Sequence, residues 1–318
     1  MKYSIGVDLG GTNIKVGIVN EAYEIVGRSS VKTGMPAADT VIADRIAEAV
    51  RLACEDAGIS LDDAEHMGIG TPGAADRSSG VVLYSNNLHF KNTDLRSLLS
   101  ERLGKVSYVE NDANAAVYGE MLAGSAAGYR NVLLLTLGTG VGGGVIINGK
   151  IFAGSNNFGA ELGHVVVEFG GKLCTCGRKG CLESYASATG LISMTKEAME
   201  ADKSSALWTL AGSLDGVNGK TAFDGMRAGD KTGAAVVDRY LAYLGCGIAN
   251  MVNVFQPEIV LLGGGICKEG EYLTKPLEAI MHDQVFGKGL VPVPKLDIAK
   301  LGNDAGIIGA AFLYRQED

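Results

Sequence analysis

One histidine and three cysteines lie close together near the middle of the chain. They are His164, Cys174, Cys176 and Cys181. Four soft nitrogen and sulfur ligands suit a closed tetrahedral Zn²⁺ site, which is structural because it leaves no coordination position for water. A disulfide or a redox pair is the alternative that the spacing leaves open. Gly177 and Gly180 would let this cysteine loop (residues 164–183) fold tightly, and Glu168 within it is expected to be a solvated surface residue.

A carboxylate stands beside a glycine-rich turn in GVDLGGTN, residues 6–13. Asp8 ends an apolar strand pattern, and Gly10 and Gly11 follow it. The bare backbone N–H groups of such a turn can point at an anion, and the hydroxyl of Thr12 would add a donor. A carboxylate repels a phosphate unless a cation lies between them, and Mg²⁺, which binds one or two carboxylates and keeps several waters, suits that place. The simpler alternative is a tight turn that needs glycine only for its backbone conformation.

A second apolar strand enters a similar turn in LLLTLGTGVGGG, residues 133–144. This turn carries Gly138, Thr139 and Gly140, with Thr136 where the first turn has its aspartate. The segment GTGVGG matches G-x-G-x-x-G, but a β-branched segment follows it instead of the helix that a dinucleotide site requires. The two hairpins therefore indicate an internal duplication, in which the second turn holds phosphate without a metal.

The segment YVENDANAAVYGE places Asp112 where a strand gives way to a helix. An aspartate at that position is commonly the helix N-cap, which accepts a hydrogen bond from a backbone N–H. The alternative is a general base, since a carboxylate within hydrogen-bond reach can accept the proton of a hydroxyl that attacks phosphorus. Asn111, next to it, could orient the same substrate. Both interpretations of Asp112 stay open at this point.

Alternating strand and helix patterns position these groups and predict an α/β protein. The chain is predicted to begin with three strands and a helix, at residues 2–8, 14–19, 24–31 and 39–57. A later buried strand, EIVLLGGGI, ends in Gly263, Gly264 and Gly265, and the last apolar segment predicts a helix over about residues 303–318. Two similar lobes would leave a cleft between them, with one glycine turn on each side.

Composition limits the possible function classes. The chain has 318 residues, 47% hydrophobic and 20% charged, which is an ordinary globular balance with room for two domains. The net charge of −8 and the lack of a Lys and Arg cluster argue against nucleic-acid binding. No apolar run approaches the roughly 20 residues needed to span a bilayer, and no signal-peptide pattern opens the sequence. We therefore expect a cytoplasmic protein without a membrane partner.

These motifs resemble those of a known superfamily. DLGGTN at 8–13, LGTGVGGG at 137–144 and GGGI at 263–266 are similar to the two phosphate motifs and the adenosine motif of the sugar kinase, Hsp70 and actin ATPases. NDAN at 111–114, and G-x-E-x-G-H followed by C-x-C-G-x-x-G-C-x-E at 159–183, closely resemble motifs of the ROK family (repressor, open reading frame, kinase). The resemblance covers essentially the whole chain, including the closing NDAGIIGAA.

The resemblance implies a two-lobed actin-like ATPase fold, also called ribonuclease H-like. Its lobes are duplicated mixed β-sheets with helices on both faces, and nucleotide and sugar bind in the cleft between them. The smaller N-terminal lobe is expected at residues 1–120 with 303–318, and the larger C-terminal lobe, with the zinc loop, at residues 121–302. A homodimer, assembled through the larger lobe, is also implied.

The resemblance further implies an ATP-dependent sugar kinase, and most simply a glucokinase that phosphorylates glucose at O6 with Asp112 as general base and Mg²⁺ near Asp8. The residues expected to bind ATP are Asp8, Gly10, Gly11, Thr12, Asn13, Lys15, Gly138, Thr139, Gly140, Gly263, Gly264 and Gly265. The residues expected to bind the sugar are Gly73, Asn87, Asn111, Asp112, Glu161, His164 and Glu183. The ligands expected for structural Zn²⁺ are His164, Cys174, Cys176 and Cys181.

Other functions remain as alternatives. The sugar could be fructose, allose, mannose or N-acetylmannosamine, because a single residue at the pocket wall can decide between hexoses. A ROK transcriptional repressor would carry an N-terminal helix-turn-helix, whereas GVDLGGTN starts at residue 6 of this sequence. A sugar sensor without catalysis is less favoured, because Asp112 and both glycine turns are present. Polyphosphate as donor would favour a basic groove, to which the charge of −8 gives little support.

Overall fold

The structure is a computed structural model that describes residues 2–316. Within these residues the strands form two five-stranded sheets and one three-stranded sheet. The strands are β1 (Tyr3–Leu9), β2 (Asn13–Asn20), β3 (Ile25–Lys32), β4 (Ala64–Thr71), β5 (Ala74–Asp76), β6 (Val81–Ser85), β7 (Phe90–Asp94), β8 (Ser107–Asn111), β9 (Val132–Leu137), β10 (Val141–Ile147), β11 (Lys150–Ile151), β12 (Ile259–Gly263) and β13 (Lys295–Ile298).

Helices fill the connections between these strands. The α-helices are α1 (Asp39–Ala57), α2 (Leu95–Leu103), α3 (Asp112–Ala123), α4 (Glu183–Ala186), α5 (Ala188–Ala201), α6 (Leu207–Ala211), α7 (Thr221–Arg227), α8 (Lys231–Phe255), α9 (Glu271–Gln284) and α10 (Asp304–Ala311). Short 3₁₀ helices cover Leu61–Asp63, Leu162–His164, Gly265–Glu269 and Leu313–Gln316. Among residues 2–316 no helix combines the length and the apolar character that a bilayer span requires.

The two larger sheets have the same strand order. The first runs β3-β2-β1-β4-β8 and the second β11-β10-β9-β12-β13, so each is 3-2-1-4-5 in order of appearance. In the first sheet β1–β2 and β2–β3 are antiparallel, whereas β1–β4 and β4–β8 are parallel. In the second, β10–β11 is antiparallel and β12–β13 is parallel. This shared order is what the predicted duplication requires, and it makes the protein a mixed α/β fold.

The described residues form two compact units. The first comprises the chain up to Leu133, with Gly144–Ala160 and the segment from Ala299 onward. The second comprises Leu134–Gly143 and Glu161–Ile298. The chain therefore passes from one unit to the other within β9 and again within β10.

The bounds of these units differ from those of the predicted lobes, residues 1–120 with 303–318 and residues 121–302, which stay a prediction. Helix α3 continues past residue 120 without a break. The start of the β10–β11 hairpin also lies against α3, because a Cβ atom added to Gly144 would come 2.7 Å from the carbonyl oxygen of Ala113. Such backbone contacts join elements that sequence periodicity alone cannot assign to a unit.

Helix α10 lies directly on the first sheet and on α3. Gly6 and Gly68 are neighbours across the β1–β4 pair. A Cβ atom added to either would come 1.9 Å or 2.0 Å from a backbone oxygen of α10, that of Ile307 or Ala310. A Cβ atom on Gly119 of α3 would likewise come 2.0 Å from the carbonyl oxygen at the start of α10. The close approach of this helix therefore depends on the absence of side chains at these positions.

The closing helix is shorter than the predicted one over residues 303–318. It ends at Ala311 and a 3₁₀ turn follows, while residues 317 and 318 lie outside the described residues. The ring of Phe312 packs edge-on against Tyr23 with centroids 5.0 Å apart. Gln316 accepts a hydrogen bond from the backbone N–H of Ile151 at 2.9 Å. These tertiary contacts hold residues 312–316 in place, and they cannot be read from the apolar pattern of the segment itself.

Candidate active site and metal centre

Asp8 and Asp112 lie at the same edge of the first sheet. Strands β1, β4 and β8 are parallel, and their register pairs Asp8 with Gly70 and Gly70 with Glu110. Gly70 leaves room for the start of α3, because an added Cβ atom would come 3.1 Å from Cβ of Ala115 and 3.5 Å from Cα of Asp112. Ligands of open α/β sheets bind at such carboxyl ends of parallel strands.

The carboxylate of Asp8 is half-buried and faces a lysine across the β1–β2 pair. Lys15 is its register partner, and its Nζ lies 3.8 Å from Oδ2 of Asp8. Burial raises the pKa of Asp8, Lys15 opposes the rise, and the charge of Asp112 adds to it. A divalent cation would offset this lost hydration, so the residues present fit a Mg²⁺ site of one carboxylate completed by water and phosphate.

The turn between β1 and β2 is closed by short backbone bonds. The N–H of Gly10 donates to the carbonyl of Asn13 at 3.0 Å, and the hydroxyl of Thr33 donates to the carbonyl of Gly10 at 2.6 Å. A Cβ atom on Gly11 would come 3.6 Å from Cβ of Asn87, so this predicted sugar residue lies beside the turn. The predicted ATP-binding residues of the first unit surround this one turn: Asp8, Gly10, Gly11, Thr12, Asn13 and Lys15.

Asn111, and not Asp112, is the N-cap of α3. Its Oδ1 accepts hydrogen bonds from the backbone N–H groups of Ala113 at 2.9 Å and of Asn114 at 3.2 Å. Its Nδ2 donates to the carbonyl of Gly73 at 2.9 Å, which leaves the second hydrogen of that nitrogen for another acceptor. The interpretation of Asp112 as the cap is therefore wrong, because the neighbouring amide already fills that role.

Gly73 needs to be glycine. Its φ is +99°, which L side chains rarely adopt, and an added Cβ atom would come 2.1 Å from the carbonyl oxygen of Tyr84. The predicted sugar-binding residues Gly73 and Asn111 thus lie in direct contact with each other.

The carboxylate of Asp112 is open to solvent. Its Oδ1 accepts a hydrogen bond from the N–H of Ala113 at 2.9 Å, and within residues 2–316 the structure shows no hydrogen bond to Oδ2. The pKa of Asp112 is nevertheless raised, because protein replaces much of the bulk water in its wider surroundings. A raised pKa makes this carboxylate a stronger proton acceptor than an ordinary aspartate.

The turn between β9 and β10 is also closed on itself. The N–H of Gly138 donates to the carbonyl of Gly140 at 3.0 Å, and the carbonyl of Gly138 accepts from the N–H of Ala188 at 2.8 Å. Gly138 and Thr139 are exposed at its tip. An added Cβ atom on Gly264 would come 2.2 Å from the carbonyl oxygen of the last β9 residue, so the segment Gly263–Gly265 lies beside this turn.

Glu183 supplies a carboxylate to the second turn, which was predicted to hold phosphate without one. Its Oε2 accepts a hydrogen bond from the N–H of Val141 at 3.0 Å, and a Cβ atom on Gly140 would come 2.3 Å from the same oxygen. Its Oε1 accepts from the hydroxyl of Thr175 at 3.1 Å and lies 3.6 Å from Sγ of Cys174. Glu183 therefore joins the cysteine loop to the second turn.

Glu161 and His164 flank a single 3₁₀ turn that packs on β10. The N–H of His164 donates to the carbonyl of Glu161 at 3.0 Å. Between them, a Cβ atom on Gly163 would come 2.1 Å from the carbonyl oxygen of Val141. Glu161 is exposed and His164 is half-buried. The 3₁₀ turn that carries these two predicted sugar residues thus contacts, through Gly163, the strand to which Glu183 also bonds.

The cysteine loop brings the four predicted zinc ligands together. The donor atoms of His164, Cys174, Cys176 and Cys181 all lie within 4.8 Å of one another. Two pairs are closer: Sγ of Cys176 is 3.7 Å from Sγ of Cys181, and Sγ of Cys174 is 3.6 Å from Nδ1 of His164. Zinc–sulfur bonds of about 2.3 Å in a tetrahedron place two sulfur atoms about 3.8 Å apart. The donor set and its spacing therefore fit Zn²⁺.

Two further features of the cysteine loop bear on this fit. Burial raises the pKa of Cys181 to about 12, so a nearby cation is needed to hold it as the thiolate that binds metal. Glu168, expected to be a solvated surface residue, is half-buried, and its Oε2 accepts a hydrogen bond from the hydroxyl of Tyr243 at 2.6 Å. That bond lowers the pKa of Glu168 and fastens the loop to α8.

Several partners of these groups were not predicted from the sequence. Glu110 is buried, and its Oε2 lies 3.2 Å from Nε of Arg77. Thr33 bonds directly to the first glycine turn, at the carbonyl of Gly10. Thr175 acts on the second turn through its hydrogen bond to Glu183. A glutamate inside an otherwise apolar strand segment, YVEN, is the one local signal that pointed to Glu110, because a buried carboxylate needs a cationic partner.

Comparisons with known proteins agree over the whole chain. A model of the ROK family matches residues 4–317. The glucokinase of Thermotoga maritima is 40% identical over 313 residues, 98% of this chain and 97% of that protein. The glucokinase of Halalkalibacterium halodurans is 36% identical over 319 residues, 100% of this chain and 96% of that protein. A solved ROK family glucokinase from Streptomyces griseus, in complex with glucose and AMPPNP, is 37% identical with a TM-score of 0.82 and covers 99% of this chain and 100% of its own.

The similarity in sequence and the shared strand order of the two sheets confirm the predicted α/β fold of the actin-like ATPases. They also confirm the resemblance found in the motifs at both glycine turns and at the cysteine loop. This chain belongs to the ROK family.

Proposed function

We propose that this protein transfers the γ-phosphoryl group of ATP to O6 of glucose. The observation that carries the proposal is the carboxylate of Asp112, which is open to solvent, has a raised pKa and lies at the sheet edge beside Asp8 and the first glycine turn. The curated relatives named above are glucokinases, and the similar solved structure contains glucose and an ATP analogue.

Asp112 accepts the proton of the sugar hydroxyl as that hydroxyl attacks the γ-phosphorus. The sugar is held by hydrogen bonds with the residues predicted for it, of which the carboxylates accept from its hydroxyls. These residues are Gly73, Asn87, Asn111, Glu161, His164 and Glu183. A site that bonds each hydroxyl discriminates strongly against a sugar that lacks one, because the protein group is then left unpaired. Asn111 is suited to this role, since one Nδ2 hydrogen remains after its bond to Gly73.

ATP binds through the two glycine turns. The N–H groups and hydroxyls of the turns at Gly10–Asn13 and Gly138–Gly140 contact its phosphates, and Lys15 adds a positive charge. The segment Gly263–Gly265 contacts the adenosine. Asp8 would hold Mg²⁺, which supplies electrostatic stabilisation of the charge that develops on the phosphates during transfer.

Zn²⁺ has a structural role in this proposal. Three cysteines and His164 would fill all four tetrahedral positions, so the ion would fix the cysteine loop and not activate water. The loop in turn holds Glu183 beside the second turn.

Three further expectations stay proposals. We propose a homodimer, a cytoplasmic location, and a small-molecule partner instead of a nucleic acid. Sedimentation analysis of the purified protein would test the first.

A coupled assay of ADP release tests the proposed reaction. With glucose and Mg-ATP we expect turnover, and the product should carry phosphate on O6 by NMR. Fructose, allose, mannose and N-acetylmannosamine as acceptors, and polyphosphate as donor, should give lower kcat/KM. A higher value for one of them would replace glucose or ATP in the proposal, and no turnover with any would overturn it.

Replacing the base gives the sharpest test of the mechanism. Asp112→Asn should lower kcat by about 10²–10⁴-fold, because general-base catalysis contributes that much, while glucose still binds by calorimetry. In the wild type, activity should fall with acid through the raised pKa of Asp112, above the usual value of about 3.9, since the protonated carboxyl cannot accept a proton.

A matched control is Asp94→Asn at the start of α2. Asp94 is also an aspartate at a strand-to-helix junction, where it caps the helix by accepting from the N–H of Ser97. We expect its kcat to stay within about twofold of wild type, as for most surface changes. A folded Asp112→Asn protein with kcat near that of this control would rule out Asp112 as the base.

A further inference from the structure

A buried carboxylate lies directly before the predicted catalytic pair. Glu110 is 1% exposed and forms part of β8. Its Oε1 accepts a hydrogen bond from the backbone N–H of Asn111 at 2.7 Å and another from Nδ2 of Asn114 at 3.0 Å. It therefore holds the last residue of the strand and the first turn of α3, on both sides of Asp112.

The second oxygen of Glu110 faces a half-buried cation. Its Oε2 lies 3.2 Å from Nε of Arg77, and Nη2 of Arg77 donates to the carbonyl of Gln316 at 3.1 Å. Arg77 comes directly after β5, a few residues beyond Gly73. Two interactions thus connect the strand–helix junction to residues 73–77. One is the ion pair of Glu110 with Arg77, and the other is the hydrogen bond from Asn111 to Gly73.

Stability alone is a weak reason for such a pair. Taking the carboxylate of Glu110 and most of the Arg77 side chain out of water is costly, and apolar side chains of similar volume often replace buried ion pairs without loss. Burial raises the pKa of Glu110, while Arg77 and the two hydrogen bonds from Asn111 and Asn114 lower it. Apolar side chains could not replace the hydrogen bond that the backbone N–H of Asn111 donates to Glu110.

We propose that Glu110 is a positioning residue that, with Arg77, sets the place of Asp112 and Asn111 against the sugar-contacting segment at Gly73. This inference rests on the proposed function, because it assigns Glu110 a part in the same reaction. A misplacement of about 1 Å at a reacting group can cost about 100-fold in rate.

The expected kinetic effect of losing Glu110 differs between glucose and ATP. Loosening the junction moves Asp112, Asn111 and Gly73, so kcat falls and KM for glucose rises. The first glycine turn is held independently by Thr33, so KM for ATP should stay within about threefold. A general loss of stability would not divide the two substrates in this way.

The control comes from the other end of the same helix. Glu120 is 0% exposed, and its two oxygens accept backbone N–H groups of Ser125 at 2.8 Å and Leu301 at 2.7 Å. Glu110→Ala and Glu120→Ala therefore each remove a buried carboxylate that fastens an end of α3. The conservative variants Glu110→Gln and Glu120→Gln keep an acceptor oxygen in each place and serve where an alanine variant does not fold.

Steady-state kinetics on folded variants should show Glu110→Ala with kcat/KM for glucose reduced about 100-fold. Glu110→Gln should retain more activity than Glu110→Ala, because its oxygen can still accept from Asn111. Both Glu120 variants should match the wild type. Equal losses from Glu110 and Glu120, or a folded Glu110→Ala enzyme within threefold of wild type, would overturn the proposal.

Hydrogen exchange provides a test that needs no turnover. In the ligand-free protein, the peptide covering residues 107–114 should exchange faster in Glu110→Ala than in Glu120→Ala, with the reverse at residues 119–126. If the wild type phosphorylates no sugar, the proposed function fails, but this measurement still decides whether Glu110 holds the junction. Unchanged exchange at residues 107–114 in Glu110→Ala would contradict the inference on its own.

Discussion

The turn after β1 and the turn after β9 each lead from a buried strand, through glycine, into a neighbouring strand of their sheet. In the first, the acidic group is Asp8 of the strand itself, paired in register with Lys15. In the second, the aligned residue is Thr136, and a carboxylate comes from Glu183, which is 42 residues away from Val141. The carboxylate beside the first turn therefore belongs to the strand itself, whereas the one beside the second turn comes from a distant segment.

This difference separates a locally encoded site from one that depends on tertiary structure. The geometry at Asp8 depends on the pairing of β1 with β2, two strands that are adjacent in the chain. The geometry at Glu183 depends on the cysteine loop, because Glu183 also binds Thr175 and lies against the thiol of Cys174. Changes to the metal centre should consequently affect the second turn and leave the first intact.

The largest expected effect comes from removing the local acid. Asp8→Asn should lower kcat by about 100-fold or more, because the carboxylate that would hold Mg²⁺ is worth several kcal/mol of charge stabilisation. Thr136→Val, at the aligned place in the second turn, should change kcat by less than about threefold. The coupled assay at saturating Mg²⁺ measures both, and equal effects of the two substitutions would show that the turns are not functionally distinct.

Removal of zinc should have the next largest effect. After chelation and return of Mg²⁺, we expect KM for glucose to rise about tenfold, since loss of support around a metal centre commonly costs 10–100-fold. KM for ATP should change less. Added Zn²⁺ should restore the wild-type value, and Cys181→Ser should reproduce the loss, whereas Cys246→Ser, outside the loop, should not. Unchanged kinetics of the zinc-free protein would show that the metal in the cysteine loop is not needed to position Glu183.

The smallest expected effect compares two glycines of the second turn. Gly140→Ala places a Cβ atom 2.3 Å from Oε2 of Glu183, so the free energy of unfolding should fall by about 1–3 kcal/mol. Gly138→Ala meets no atom within 4 Å and should change it by no more than about 0.5 kcal/mol. Urea unfolding of both proteins checks this difference. Equal stabilities would show that the carboxylate moves away freely.

The sequence predicted the parts of this site that short segments encode. Asp8 and Asp112 each follow an apolar strand pattern, so their place at the carboxyl ends of strands could be inferred from periodicity. The four residues of the metal centre were found because their side chains have one shared chemistry at close spacing. The assignments of these residues to sugar, nucleotide and metal remain predictions.

Contacts between distant segments could not be predicted in this way. Nothing in YVENDAN shows that Arg77 neutralises Glu110, and nothing near Glu183 shows that it reaches the N–H of Val141. Asp112 as the cap of α3 was one of two interpretations of the sequence, because both Asn and Asp suit that role and one residue of offset lies within the usual uncertainty of a helix start. The end of α10 depends on contacts of Phe312 and Gln316 that its own apolar pattern does not contain.

The close packing of α10 on Gly6 and Gly68 also affects the order in which the first unit can fold during synthesis. Gly6 and Gly68 emerge from the ribosome well before α10, the helix that covers them. Until α10 has been synthesised, one face of β1 and β4 lacks its partner, so this sheet stays partly uncovered while residues 161–298 of the second unit are made. Domains that fold during synthesis usually complete N-terminal parts first. Here a chain that stops before α10 would leave that face of the first sheet exposed.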